Sequence, residues 1–320
     1  MKSIAALCLA LALVGVPAAA QTLAPAPSSE ATTDDLAFSV LDERMTVPVE
    51  IAGAGPYPFI VDTGAQRSVV SRQLARRLGL PVGRRVRLTA MSGSSDVETV
   101  VIPSLTLSAP TKPGLGGQRI EAPALEAQHL GAPGMLGIDT LQDRAVVIDF
   151  DRRAMTVSAS TARDRKRAAA PDEIVIQAKS LFGQLVVTDA YVLGKRVRVI
   201  LDTGTPVSIG NLALRRLVAK RKVETTPAVF TSVLGDQITA DYVVIPEMKL
   251  GDATMTALPI AFADVPPFRA FGVEDKPAIL LGMDALQLFR RVHIDFANRQ
   301  LRLALPRTAL RRPAMRMGPS

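Results

Sequence analysis

The amino-acid sequence predicts an all-β fold, mostly β with short helices, built as two related lobes in one chain, and three observations predict it. The segment Phe59-Ile60-Val61-Asp62-Thr63-Gly64-Ala65 returns as Val199-Ile200-Leu201-Asp202-Thr203-Gly204-Thr205. Further along, Met135-Leu136-Gly137-Ile138-Asp139-Thr140-Leu141 returns as Leu280-Leu281-Gly282-Met283-Asp284-Ala285-Leu286. Each repeat then closes on a strand-like segment, Val147-Ile148-Asp149-Phe150 in the first and His293-Ile294-Asp295-Phe296 in the second. Repeats that keep their order and separation mean one structural unit used twice.

Short runs rich in β-branched residues and bounded by Gly, Pro or Ser read as strands: 47–51, 59–61, 86–89, 99–102 and 146–150 in the first repeat. The second repeats the pattern at 175–176, 184–193, 197–201, 228–233 and 240–245. Pro48 lacks an N–H, which predicts that the first of these strands lies at a sheet edge. Ser71 is placed to cap a short helix ending at Gly79, and Asn211 to cap its counterpart from Leu212 to Ala219. Asp139 and Asp284 are expected to cap a further short helix in each lobe.

Around the lobes the chain changes character. Met1-Lys2, an apolar run from Ile4 to Val16 and the small residues through Ala20 form the pattern of a cleaved export signal, with cleavage expected after Ala20. The run is shorter than the roughly 20 apolar residues that span a bilayer, so no stable membrane anchor is expected. The sole cysteine, Cys8, lies in this signal, and thiol chemistry and disulfides are excluded from the mature chain. The expected organisation is a signal peptide (1–20), a disordered flank (21–40), an N-terminal lobe (41–157), a linker (158–172), a C-terminal lobe (173–303) and a basic disordered tail (304–320). The net charge of +8 includes the basic clusters of the linker and tail, and Trp is absent, so solvated segments are expected there and no nucleic-acid partner. An exported protein free of disulfides suits a bacterial periplasm, with secretion as the alternative.

The paired Asp-Thr-Gly triplets carry the chemistry. Both follow three apolar residues, and both have a serine, Ser68 and Ser208, at the same place downstream. Gly64 and Gly204 permit a sharp turn and a close backbone approach to each carboxylate, and Thr63 and Thr203 are able to hydrogen-bond across to the other lobe. If a pseudo-twofold axis relates the lobes, Asp62 and Asp202 meet on it, and two adjacent carboxyls cannot both ionise easily. Sharing one proton gives a base and an acid, enough to activate water against a carbonyl without metal or cofactor. Ala65 lacks the hydroxyl of Thr205, so the Asp62 carboxylate is expected to have one hydrogen bond fewer and to be less favoured in its charged form. His129 and His293 are the only histidines, and no Gly-x-Ser-x-Gly segment exists.

In these motifs the sequence resembles the retropepsin-like aspartic proteases, especially exported bacterial members with two such domains in one chain. DTGAQRSVVS is similar to their active-site loop, and LGIDTL and LGMDAL, each followed by IDF, are similar to their Gly segment, short helix and closing strand. The resemblance implies two barrels related by a pseudo-twofold axis, a monomer acting as an internal pseudo-dimer, and aspartic endopeptidase activity on an extended peptide or protein substrate. It implies catalytic roles for Asp62 and Asp202, and an interlobe grip for Thr63 and Thr203. Flap candidates are Met91-Ser92-Gly93-Ser94 and Val233-Leu234-Gly235-Asp236; Ala65, Arg67, Thr205 and Val207 are expected to line the cleft, Arg67 favouring acidic substrate groups. The alternative is an inactive peptide-binding or scaffold module on the same fold.

Overall fold

The computed structural model describes residues 36–37, 39–41, 44–107, 115–219 and 225–307. The expected signal peptide with Cys8, most of the 21–40 flank and the tail from 308 onward lie outside the described residues. The fold is mostly β, with two barrel-like lobes of the same topology.

In lobe 1 the strand Ala54–Val61 runs parallel to Gly134–Leu136, which is antiparallel to Val69–Ser71, itself parallel to Leu115–Leu125. Lobe 2 repeats each step: Arg198–Leu201 is parallel to Ala278–Leu281, then comes antiparallel Ile209–Gly210, then parallel Ala253–Phe262. These central strands are covered on both faces, which is why they read as unbroken apolar runs. Phe59 and Val61 point into the main core while Ile60 joins a smaller cluster, and Val199, Leu201 and Ile200 divide in the same way. The main core runs through both lobes without a break.

A six-stranded sheet ties the lobes together, in the order Leu36–Ala37, Ala154–Ala159, Arg144–Asp149, Arg291–Asp295, Gln300–Ala304, Glu173–Gln177. At its centre Val147 pairs with His293, its own counterpart in the other repeat. Equivalent residues pair with each other only on a twofold axis, so the pseudo-symmetry axis passes through this seam. Asp149 closes it with an ion pair to Arg291 at 2.7 Å.

The helices start where their caps predict: Ser71 Oγ accepts from Leu74 N–H ahead of Arg72–Arg77, and Asn211 Oδ1 from Leu214 N–H ahead of Leu212–Val218. Other expectations are corrected. Pro48 is not on an edge strand, because Arg44–Ile51 pairs with Ser39–Leu41, Ala54–Val61 and Gly93–Leu107. It is tolerated because it faces Pro58, and because the covering strands pair only up to Thr46 on one side and from Val49 on the other. The flank contributes two short strands, Leu36–Ala37 and Ser39–Leu41, and the last strand of lobe 2 extends into the expected tail at Ala304.

Residues 158–172 are not simply a solvated tether. The strand Ala154–Ala159 enters this stretch, and Ala162–Lys166 is helical, started by a capping box between Thr161 and Asp164. Arg302, 2% exposed, reaches out of lobe 2 to donate to the carbonyls of Asp164 and Arg167, at 3.3 and 2.6 Å. Glu173 balances its charge at 3.0 Å and pairs with Arg167 at 2.6 Å. A buried guanidinium with this many partners fixes the path of the chain.

His293 is partly buried at the seam, where burial pushes its pKa below the usual histidine range. The unfolded chain then binds more protons than the folded one, so stability falls as pH drops through the unfolded value of about 6.5 and the loss is complete below the folded one. His293→Leu is expected to shrink the difference in melting temperature between pH 7 and pH 5, as thermal denaturation at the two pH values will measure.

Candidate active site

Each Asp-Thr-Gly leaves the end of a buried central strand, and the neighbouring strand fixes its first residue: Asp62 N–H donates to Leu136 C=O at 2.9 Å and Asp202 N–H to Leu281 C=O at 3.0 Å. The two triplets then interlock. Thr63 Oγ1 donates to Leu201 C=O at 2.9 Å and accepts from Thr203 N–H at 3.2 Å. Thr203 Oγ1 reciprocates, donating to Val61 C=O at 2.6 Å and accepting from Thr63 N–H at 3.1 Å. Both threonines are buried, so all four bonds are shielded from water.

This grip sets the carboxyls face to face. A Cβ added to Gly64 would lie 2.6 Å from Asp202 Cγ, and one added to Gly204 would lie 2.3 Å from Asp62 Cγ. Glycine is required at both positions because each one's backbone touches the opposite lobe's carboxyl. Asp202 is 4% exposed, while Asp62 is more open. Burial first, and the adjacent Asp62 carboxyl second, push Asp202 well above the ordinary carboxylate range, against the opposing pull of the Gly204 N–H. The two titrate as one coupled pair.

Behind each triplet stands a second matched device. Ser68 Oγ donates to Asp139 at 2.7 Å, Ser68 N–H does so at 2.9 Å, and Gly137 N–H donates to Ser68 Oγ at 3.0 Å. In lobe 2, Ser208 Oγ and N–H bond Asp284 at 2.7 and 3.0 Å, and Gly282 N–H bonds Ser208 Oγ at 3.1 Å. This corrects the expected capping role: Gly137 and Gly282 occupy the cap positions, and the aspartates instead brace the active-site loops. Burial pushes the Asp139 carboxyl up, opposed by these Ser68 bonds and by the Arg67 charge.

Two hairpins reach across between the lobes. The first joins Val82–Ala90 to Gly93–Leu107 through Met91 and Ser92, and the second joins Thr226–Thr231 to Gln237–Leu250 through the five residues from Ser232 to Asp236. Each tip lands on the opposite lobe, Met91 on the lobe 2 cluster and Val233 and Leu234 on the lobe 1 cluster. Ser92 Oγ donates to Asp236 Oδ2 at 3.0 Å, joining the tips. Gly235, at φ 95°, lies against the His129 ring, where a Cβ would come within 2.5 Å. Ser94 stays on its own hairpin, bonded to Thr89 at 2.8 Å.

An aspartyl protease family model matches residues 47–140 and again residues 188–285, more than half of the chain. The chain belongs to the aspartyl protease family. The matched regions include one Asp-Thr-Gly and one Leu-Gly-x-Asp segment each, which makes this a two-domain member of retropepsin-like type. No curated protein matches the chain.

The halves of this aspartyl protease site are not equivalent, and the inequality runs opposite to expectation. Thr205 Oγ1 donates to Val207 C=O at 3.0 Å, not to the carboxylate. Asp62 Oδ1 accepts from both Gly64 N–H and Ala65 N–H at 2.8 Å, whereas Asp202 Oδ1 accepts from Gly204 N–H at 3.1 Å with a weaker contribution from Thr205 N–H. Asp62 is thus the better-supported anion despite Ala65. Arg67 and Val207 occupy matching places, but Val207 packs on the lobe 2 cluster while Arg67 acts on Asp139 and Glu121 of its own lobe, so an acidic substrate group would compete with both.

Thr203→Val removes one buried donor and one buried acceptor of the grip. It is expected to cost about 2–4 kcal/mol in urea denaturation, because an orphaned buried group costs about 1–3 kcal/mol. Thr205→Val, which loses only a bond within its own half-buried loop, is expected to cost less than about 1 kcal/mol.

Proposed function

We propose that this protein is an aspartic endopeptidase that hydrolyses peptide bonds with water activated between Asp62 and Asp202. One observation carries the reading: two carboxyls from opposite lobes face each other, one held by two N–H donors and the other pushed towards its protonated form.

Roles follow from that difference. Asp62, ionised, takes a proton from water as its oxygen attacks the scissile carbonyl carbon. Asp202 gives its proton to the carbonyl oxygen, and a tetrahedral diol forms. The dyad then returns a proton to the amide nitrogen, the C–N bond breaks, and carboxyl and amine products leave. An extended peptide would lie between the dyad and the hairpins, with Ala65, Thr205 and the tips Met91 and Leu234 as its nearest surroundings. One chain supplies both halves, so the working form is a monomer. The apolar N-terminal run and small residues up to Ala20 support export to a periplasm.

The test is cleavage of a diverse peptide mixture by the mature protein from about pH 3 to pH 8, with Asp62→Asn and Asp202→Asn as controls. Both variants are expected to lose at least about a thousandfold in kcat/KM. The wild-type profile should be bell-shaped, its acidic limb set by protonation of the base and its basic limb by ionisation of Asp202, displaced towards neutral pH. Activity surviving in both variants would sink the dyad mechanism. Peptide binding without cleavage at any pH would instead favour a binding module.

A further inference from the structure

Gln184 opens the strand Gln184–Val187 of lobe 2, yet its side chain serves lobe 1. It is 1% exposed, and its Nε2 donates to the Gly64 carbonyl at 2.8 Å. That carbonyl shares a peptide group with the Ala65 N–H, which donates to Asp62 Oδ1 at 2.8 Å. In a trans peptide the C=O and N–H point in opposite directions. Gln184 therefore holds the back of the peptide whose front binds Asp62, and hydrogen bonds in such a chain polarise and strengthen one another.

Three further features bear on Gln184. The hairpin that presents it is seated on lobe 1, since a Cβ on the neighbouring Gly183 would come within 2.6 Å of Ile138 Cγ2. Its Oε1 is buried without a hydrogen-bond partner among the described residues. An unpaired buried acceptor costs stability that a methionine of similar length would not, so space-filling does not explain a glutamine here. Finally, the duplication does not demand it. Val186 pairs with Ile200 as Thr46 pairs with Ile60, which puts Arg44 at the matching register of lobe 1.

We propose that Gln184 is a positioning residue for the dyad: by anchoring the Gly64–Ala65 peptide from the opposite lobe, it keeps two N–H groups on one oxygen of Asp62 and so sets Asp62 as base and Asp202 as acid. Its kinetic consequence rests on the proteolytic reading; its effect on carboxyl ionisation does not. The titratable group facing Asp62 is Asp202. The other charges around the cleft are Arg67 on the same loop, Asp139 behind it, and Asp236 and His129 at the second hairpin tip, and Gln184→Met alters none of them.

The test is a pH titration of the aspartate carboxyls by 13C NMR in the wild type and in Gln184→Met, with melting temperatures and kcat/KM profiles alongside. The lower apparent pKa of the dyad is expected to rise by roughly half a unit to one unit in the variant. The acidic limb of kcat/KM should follow it, with the melting temperature changed by no more than the loss of one part-buried hydrogen bond allows. Superimposable titrations, or a lower melting temperature with an unchanged pH profile, would reduce Gln184 to a structural residue. Gln184→Glu provides a second reading, and carries the test should the Met variant fail to fold. Its protonated carboxyl is able to donate to Gly64 C=O and its carboxylate is not, so wild-type behaviour is expected at low pH and loss above its own pKa; loss at every pH would count against the proposal. A wild type that cleaves nothing would remove the proteolytic reading and leave the NMR comparison to decide on Gln184.

Discussion

The structure depends on the reciprocal bonds between Thr63 and Thr203. Each hydroxyl both donates to the strand that carries the other triplet and accepts the other threonine's N–H. Such bonds contribute about 1 kcal/mol each net of exchange with water, but a buried donor or acceptor has no substitute partner, so losing one costs more than forming it gains. The grip therefore fixes the distance between the lobes at their most sensitive point, where glycine is the only residue that fits against the facing carboxyl. Behind it, the Ser68–Asp139 and Ser208–Asp284 braces hold the loops that the grip joins. Below, the seam at Val147 and His293 repeats the same symmetry in a sheet.

Much of this was legible in the chain because duplication makes two weak signals one strong signal. The apolar triplets before Asp62 and Asp202, the caps at Ser71 and Asn211, and the hairpins around Met91 and Leu234 all depend on local pattern, and all are where the pattern predicts. What could not be read depends on contacts between segments distant in the chain. The Ser68 and Ser208 signals were visible as matched positions, but their partners, Asp139 and Asp284, lie at the other end of each repeat and read as helix caps. Pro48 misled because its acceptable site depends on where three neighbouring strands stop pairing. Gln184 has no lobe 1 counterpart of its type, and a residue that acts on the opposite lobe leaves no periodic trace.

Symmetry of topology and asymmetry of chemistry coexist here for a simple reason. The strand pairings that build each lobe are repeated, so the carboxyls meet on an axis; the N–H groups presented to them differ, so the two are not held alike. Thr205 shows how little a residue list decides, since its hydroxyl is spent on the Val207 carbonyl and the difference between the carboxyls is made by backbone N–H groups instead. A single chain with two unlike halves is able to assign the base and the acid permanently, which a pair of identical subunits can do only by breaking its symmetry.

The most direct measurement of the central claim, one dyad from two lobes of one chain, is peptide cleavage by the wild type over a wide dilution range, together with an equimolar mixture of Asp62→Asn and Asp202→Asn. The account predicts a wild-type specific activity that does not change on dilution and a mixture as inactive as either variant alone. Wild-type activity that collapses on dilution, activity restored in the mixture, or no cleavage at all would contradict it.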